Sequence, residues 1–387
     1  MATPHNGADA LLDRATGALR GAAVGDALGG ATEGFTPAAI RERHGGPVTG
    51  IVGPWFDNWR DARPISPYHK GDGHVTDDTL MTLALVEVYA EVRDHLGAYD
   101  IAERLVPKLL NDVRWVPELE CDTVLLQRVF LAEKWLALRL HYGHVDPREA
   151  GVGNVVNCGA AMYMAPVGIV NAADPDRAYA EAIDIAGSHQ SSYGREAAGV
   201  YAAAVAEAMR PGATVDTVVE RALALARDGT RAAISAVVER AREHRDGGGD
   251  WASAIDELRE AVTPFDTVGP AYREPALDAR IPSRTKSIEE LPVALGFALV
   301  AGGDVRASIL GGVNYGRDSD SIATMAGAIT GALGGAAAVP GDWVGDVSAA
   351  SRLDLAVPAA ELVAVAREVW ARDEGRAAAV AAARGGL

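Results

Sequence analysis

The chain of 387 residues has few cysteines, few aromatic residues and no basic surplus. Cys121 and Cys158 are its only cysteines, so it has no disulfide framework of the kind that staples small secreted domains. Apolar stretches such as 322–339 are too rich in Gly, Ala and Thr to be convincing membrane spans. The formal net charge of −17 argues against nucleic acid or an anionic membrane as a partner, because both bind basic surfaces.

The rest of the composition is that of a folded, soluble protein. Apolar residues make up 49% of the chain and charged residues 23%, which is not the composition of a disordered protein. The first residues lack the charged and apolar regions of a signal peptide, so we expect a cytoplasmic protein. Since no linker rich in Pro, Ser or Gly divides the chain, we predict one domain over residues 1–387. Its core should span about 12–340, with peripheral C-terminal helices in 341–387.

Helical periodicity runs through almost the whole sequence. Alanine dominates, and apolar residues recur at spacings of three and four with little strand-like alternation. The pattern predicts an all-α, multi-helix bundle. The predicted helices span 11–29, 79–95, 100–113, 122–142, 174–187, 195–210, 214–228, 230–245, 251–262, 289–302, 304–312, 320–337 and 359–384. Gly and Pro concentrate in 45–75, 146–172 and 263–288, which we predict to be long loops.

Two acidic clusters, each followed by an apolar helical run, are the main sign of chemistry. They are Thr76-Asp77-Asp78-Thr79 and Gly316-Arg317-Asp318-Ser319-Asp320-Ser321. Hydroxyl and carboxylate groups at a helix start also serve as N-terminal caps, which explains either cluster alone about equally well. Two such clusters are harder to explain as caps, and carboxylate and hydroxyl oxygens are ligands that suit Mg²⁺ or Mn²⁺. If folding joins the clusters, they can hold a pair of divalent ions.

Several short motifs occur in an order that resembles a known family. They are Gly21-Ala-Ala-Val-Gly-Asp26-Ala-Leu-Gly29 with Glu33, the 76–79 cluster, Gly159-Ala-Ala-Met162 with Ala165-Pro166 and Gly168, Ser188-His189, and Asn314-Tyr-Gly-Arg-Asp-Ser-Asp-Ser-Ile-Ala323 with Ala326-Gly327. Over about residues 12–335 the chain resembles the ADP-ribosylglycohydrolases. That family is all-α, has a dimetal site in a central cleft and removes ADP-ribose or related ribosyl groups.

The resemblance implies roles for particular residues. Two Mg²⁺ or Mn²⁺ ions would be held by Thr76, Asp77, Asp78, Asp318, Asp320 and Ser321. Catalysis would involve Glu33, Asp78 and Asp318. Substrate would be bound by Asn157, Cys158, Gly159, Tyr163, Ser188, His189, Gly316 and Arg317. For Asp26 we expect a structural role, in which it caps or orients a neighbouring helix.

Four positions depart from the family pattern. Ser321 replaces a Thr and keeps the hydroxyl, whereas Arg317 replaces a Gly and adds a cation beside the acidic pair. In the middle loop, Cys158 and Tyr163 stand where the family commonly has Asn and Arg. Because that loop contacts substrate in the family, its changes bear on the identity of the substrate more than on the chemistry.

The long loop ahead of the first acidic cluster carries four aromatic residues, namely Trp55, Phe56, Trp59 and Tyr68. Such residues usually anchor a loop, and stacking on a base is the less common alternative.

The sequence therefore favours a metal-dependent hydrolase of a ribosyl C1′ bond to nitrogen or oxygen. Its substrate would be either an ADP-ribosylated protein or a small ribosyl nucleotide or nucleoside, and the altered middle loop favours the small molecule. The alternative is a non-catalytic relative that binds ADP-ribose or a nucleotide or has a structural role. The presence of all six candidate ligands argues against that alternative.

Overall fold

The computed structural model describes residues 9–62, 68–265 and 286–386, with residues 62 and 286–288 described by their backbone alone. In these ranges the α-helices are α1 (Ala10–Gly30), α2 (Pro37–His44), α3 (Trp59–Ala62), α4 (Asp77–Val92), α5 (Ala98–Asp100), α6 (Val106–Asn111), α7 (Leu131–Leu136), α8 (Ala165–Val170), α9 (Pro175–Gly187), α10 (Ser192–Ala208), α11 (Val215–Leu225), α12 (Asp228–Asp246), α13 (Trp251–Val262), α14 (Lys286–Val300), α15 (Val305–Tyr315), α16 (Ser319–Gly334), α17 (Gly341–Ser351) and α18 (Ala356–Gly385). The predicted all-α fold is confirmed.

A single hairpin departs from helix in the described ranges. Its strands, β1 (Val113–Val116) and β2 (Cys121–Val124), pair antiparallel. The predicted helix over 122–142 is therefore wrong in its first part, and α7 starts only at Leu131 before continuing as a π-helix over Ala137–Tyr142. Val and Thr favour the strands, and Pro117 with a left-handed Glu120 (φ 50°) forms the turn between them.

The structure agrees with the three predicted loops to different extents. In the described part of the segment 45–75, the short helix α3 is the only helix before α4 begins. The segment 146–172 was predicted as loop throughout, yet α8 lies within it and has Pro166 in its first turn, where a missing N–H costs little. Most of the third loop, residues 266–285, lies outside the described residues.

Helices α1 and α16 cross in backbone contact because glycines line their interface. Gly17, Gly21, Gly25 and Gly29 recur every four residues on one face of α1. A Cβ atom on Gly21 would lie 2.0 Å from the carbonyl oxygen of Gly327, so a side chain there would force the helices apart. The close approach places the C-terminal half of α1 against the N-terminal turn of α16, where the second acidic cluster lies.

Asp26 ties α1 to the start of α4. Its Oδ2 accepts hydrogen bonds from the backbone N–H groups of Thr76 (2.9 Å) and Thr79 (3.1 Å), and from the Thr79 hydroxyl. This is the capping role expected for Asp26, and it brings the first acidic cluster to α1 as well. The C-terminal helix α18 packs against α1, α4 and α8. Among the described residues, no helix is both long enough and apolar enough to cross a membrane.

Candidate active site

The two acidic clusters meet where α4 and α16 begin. Carboxylate oxygens of Asp26, Asp78 and Asp320 lie within 4.8 Å of one another, and all three residues are buried. Asp26 Oδ1 and Asp78 Oδ1 accept no hydrogen bond from the described part of the chain. Burial, and then the charge of Asp320, raises the pKa of Asp78 well above its usual value. Three carboxylates this close together are stable in a buried site only if they are protonated or neutralised by a cation.

A second acidic group extends the first towards the end of α1. Carboxylate oxygens of Glu33, Asp318 and Asp320 also lie within 4.8 Å of one another. Two backbone hydrogen bonds hold the Glu33 segment here, one from Gly34 N–H to the Arg317 carbonyl (2.6 Å) and one from Arg317 N–H to the Phe35 carbonyl (3.0 Å). Burial raises the pKa of Asp320 to about 7, although the nearby Lys70 charge acts in the opposite direction.

A third group contains Cys158 and a glutamate that sequence reasoning missed. Ligand atoms of Cys158, Glu290 and Asp318 lie within 4.8 Å of one another, and Glu290 is fully buried on α14. The Cys158 thiol lies 3.3 Å from Asp318 Oδ2 and 3.4 Å from the Ser321 hydroxyl. Burial and the charge of Asp318 raise the pKa of this thiol well above its usual value, so it stays protonated.

Two buried cations enter the acidic cluster, and sequence reasoning missed both. The Lys70 ammonium pairs with Glu33 and lies 3.4 Å from Asp320 Oδ2. The Arg128 guanidinium is wholly buried, pairs with Glu118 and lies 3.0 Å from Asp77 Oδ1. The sequence does mark Lys70, because lysine is rare in this chain, with four in all, and Lys70 stands six residues before Thr76. Arg128 gave no such signal.

Three further predicted metal ligands also have partners within the protein. Asp77 lies outside the three acidic groups and pairs with Arg128, while burial raises its pKa to about 6. Thr76 is the N-terminal cap of α4, with its hydroxyl 3.4 Å from the N–H of Asp78. Ser321 N–H donates to Asp320 Oδ1 (3.1 Å), which fixes that carboxylate at the first turn of α16.

The predicted substrate-binding residues of the middle loop form a buried polar network. The Tyr163 hydroxyl lies 3.1 Å from His189 Nδ1. His189 Nε2 lies 3.1 Å from the Ala132 carbonyl and 3.4 Å from Glu133 Oε1. Glu133 was not predicted, and after burial its charge also helps to raise the pKa of Asp77. Asn157 Oδ1 accepts from Gly159 N–H (3.0 Å) and shapes the turn that carries Cys158.

The remaining three substrate-binding candidates lie at special backbone positions. Ser188 is fully buried and donates to the Ile185 carbonyl (2.7 Å) at the end of α9. Gly316 has a φ of 69°, and a Cβ there would lie 2.1 Å from the Phe35 carbonyl oxygen. Arg317 has a left-handed φ of 56°, a conformation that glycine adopts at less cost, and its Nε lies 2.7 Å from Glu289.

The donor set fits hard divalent cations. The Asp26, Asp78, Asp320 group and the Glu33, Asp318, Asp320 group offer only oxygen ligands, which suit Mg²⁺ and Mn²⁺. Asp26 Oδ1 and Asp78 Oδ1, which have no hydrogen-bond donor among the described residues, lie in buried surroundings where an uncompensated charge is costly. A bound cation would satisfy both.

This geometry, an all-α fold with a buried oxygen-rich centre, agrees with comparisons to known proteins. The ADP-ribosylglycohydrolase family model matches residues 7–378. An uncharacterized protein of Archaeoglobus fulgidus is 28% identical over 334 residues, which cover 84% of this chain and 88% of that protein. The ADP-ribosylarginine hydrolase Tri1 of Pseudomonas putida is 27% identical over 344 residues, which cover 87% of this chain and 75% of that protein.

A solved structure of an "ADP-ribosylglycohydrolase-related protein complex" has the same fold. Its TM-score is 0.57 at 22% identity, and the match covers 94% of this chain and 100% of that one. The protein belongs to the ADP-ribosylglycohydrolase family, and it is a hydrolase of the glycohydrolase type. The predicted family and enzyme class are confirmed.

Proposed function

We propose that this protein uses two divalent cations, Mg²⁺ or Mn²⁺, to hydrolyse the C1′ bond between a ribose and a nitrogen or oxygen atom. The observation that carries the proposal is the pair of acidic groups that share Asp320, with two oxygens that accept no hydrogen bond from the described residues. The cations would be held by Thr76, Asp77, Asp78, Asp318, Asp320 and Ser321, with Asp26 beside them. When bound, such cations lower the pKa of a coordinated water and can hold ribose hydroxyls.

The residues of the site then have distinct tasks in a balanced reaction. The electron pair of the C1′ bond leaves with the nitrogen or oxygen atom, and the oxygen of water forms the new bond to C1′. Carboxylates of Asp78 and Asp318 stabilise the positive charge that develops on the ribose. Asp318 accepts the proton that water loses. The Glu33–Lys70 pair supplies a proton to the departing atom.

For the substrate we propose a small ribosyl nucleotide or nucleoside. Support comes from the middle loop, where Cys158 packs against Asp318 and Tyr163 is bound to His189, both in place of the family's common Asn and Arg. Changed polar groups at a binding site shift specificity, because an unmatched buried polar group penalises the wrong ligand. The second candidate is an ADP-ribosylated arginine, which the name of the Pseudomonas relative favours.

A comparison of kcat/KM decides between the two substrates. The metal-loaded protein is assayed on a small ribosyl nucleotide and on an ADP-ribosylated protein, with Asp320→Asn as the inactive control. We expect a higher kcat/KM for the small substrate and none for the variant. A clear preference for the modified protein would contradict the substrate assignment, and full activity of Asp320→Asn would contradict the site.

A further inference from the structure

A depression walled by aromatic side chains opens beside the acidic cluster. Its walls include Phe35, Trp55, Phe56, Trp59 and Tyr68, and Glu33 and Lys70 lie at its inner end. The depression is open to solvent and encloses only about 20 Å³, so the aromatic side chains form a shallow surface and not a closed cavity. Such a surface can contact one face of a small planar group.

The walls are braced, so they do not depend on the ligand for their position. The rings of Phe35 and Trp55 are stacked, with centroids 3.3 Å apart and 9° between their planes. Trp59 stacks on His69 at 5.0 Å, and His69 is itself held by Glu120 at 2.7 Å. Such rigid aromatic surfaces bind planar rings with little loss of conformational entropy.

Arg128 connects this pocket to the acidic cluster. Its guanidinium lies 4.2 Å from the ring centroid of Tyr68 and 3.0 Å from Asp77, and its backbone carbonyl accepts a hydrogen bond from the Tyr68 hydroxyl (2.9 Å). Lys70 belongs to both places, since its ammonium contacts Glu33 in the pocket and lies 3.4 Å from Asp320. A ribose held at the carboxylates would thus direct its C1′ substituent into the aromatic pocket.

The charges at the inner end select the kind of substituent. Glu33 is neutralised by Lys70, so it offers no uncompensated carboxylate to a guanidinium. A neutral, planar ring meets aromatic walls and a hydrogen-bonding pair and needs no such carboxylate.

From this geometry we infer that the pocket is the site of the leaving group, and that the leaving group is a neutral planar heteroaromatic base. The inference rests on the proposed function, which it deepens by naming the chemical class of the group released from C1′. The same pocket would bind the free base as a product.

The test measures binding of free bases to the full-length protein by calorimetry and by saturation-transfer NMR, with Mg²⁺ present so that the acidic cluster does not itself attract the cationic compounds. Nicotinamide, adenine and hypoxanthine are compared with arginine and agmatine. We expect the bases to bind more tightly than the guanidinium compounds. Trp55→Ala should weaken base binding by at least about fivefold, as expected for loss of a stacking partner.

Two control variants keep the test sharp. Trp55→Phe retains a ring and should retain most of the binding, which separates stacking from a folding defect. Tyr142→Ala removes an exposed ring outside the pocket and should change nothing. No binding of any base at millimolar concentration, tighter binding of arginine, or equal binding by Trp55→Ala would overturn the inference. If bases bind but no ribosyl compound is hydrolysed with metal, the proposed function fails while the pocket stands.

Discussion

Replacement of Asp320 by Asn should stabilise the metal-free protein while it removes metal binding. Asp320 belongs to both of the acidic groups that offer only oxygen ligands, and its carboxylate is buried beside Asp78 and Asp318. Without a bound metal ion, the ionised carboxylate destabilises the native state, and Asn has nearly the same shape without the charge. A residue kept for ligand binding is expected to cost stability when the ligand is absent.

The magnitude follows from the pKa of Asp320, which burial raises from 3.8 to about 7. A raised pKa of an acid means that the native state loses stability as pH rises from 3.8 through 7, because the folded protein holds the proton longer than the unfolded chain. The accumulated loss is on the order of 4 kcal/mol at pH 8 and about 2 kcal/mol at pH 5. Since Asn also loses the contact with Lys70, we expect a net gain of about 2–4 kcal/mol at pH 8 and less at pH 5.

Urea denaturation in EDTA at both pH values measures the gain, and thermal denaturation with and without Mn²⁺ measures metal binding. The exposed Asp256→Asn on α13 is the matched control and should leave both quantities unchanged. A variant less stable than wild type at pH 8 in EDTA would refute the reasoning. So would a variant whose Tm rises with Mn²⁺ as much as that of wild type.

Three further perturbations have defined outcomes. Arg128→Met should lower the free energy of unfolding, measured in urea, by about 3–5 kcal/mol, because it leaves Glu118 and Asp77 buried without their cation. The exposed Arg240→Met is the control, and a loss at Arg128 as small as the loss at Arg240 would contradict this reasoning. Lys70→Met should tighten Mn²⁺ binding by about tenfold or more in calorimetry, because an ammonium beside Asp320 repels a metal ion. Lys134→Met is the control and should leave the affinity unchanged. An unchanged affinity of Lys70→Met would show that Lys70 does not compete with the metal ion. Burial lowers the pKa of His95, but its hydrogen bonds to Glu181 and Asp373 outweigh burial and raise it above 6.5. The stabilisation that protonated His95 gives to the folded state is therefore complete below pH 6.5 and is lost as pH rises above that value. His95→Gln should therefore make the free energy of unfolding, measured in urea, fall less over this pH range.

Much of the fold could be predicted because helical periodicity is a local signal. The hairpin could not, since its second strand, Cys121–Val124, lies at the start of a segment whose apolar spacing also fits a helix, and only pairing in three dimensions selects the strands. The contact of α1 with α16, in contrast, has a signal in the sequence. Glycines every four residues from Gly17 to Gly29 mark one helix face that admits a second backbone.

The site residues that stand in a recognisable motif could be predicted from the sequence. Those that enter the site as charge partners of other residues could not. Asp78 and Asp320 stand in acidic clusters at helix starts, and the structure brings them together. Arg128 and Glu290 stand in no recognisable pattern, and Lys70 is marked only by its rarity and its place ahead of Thr76. Each acquires its role through a partner remote in sequence. Buried charges are selected by their neighbours in space, which a single sequence does not display.

A product assay with three arms tests the central claim most directly. Wild-type protein with Mn²⁺, wild-type protein with EDTA and Asp320→Asn with Mn²⁺ are each incubated with a panel of ADP-ribosylated proteins, NAD derivatives and nucleosides. Released ribosyl product and base are quantified by mass spectrometry. We predict release from at least one small ribosyl compound in the first arm and none in the other two. Release that persists in EDTA or in the variant would contradict a metal-dependent reaction at Asp320, and no release from any compound would contradict the glycohydrolase itself.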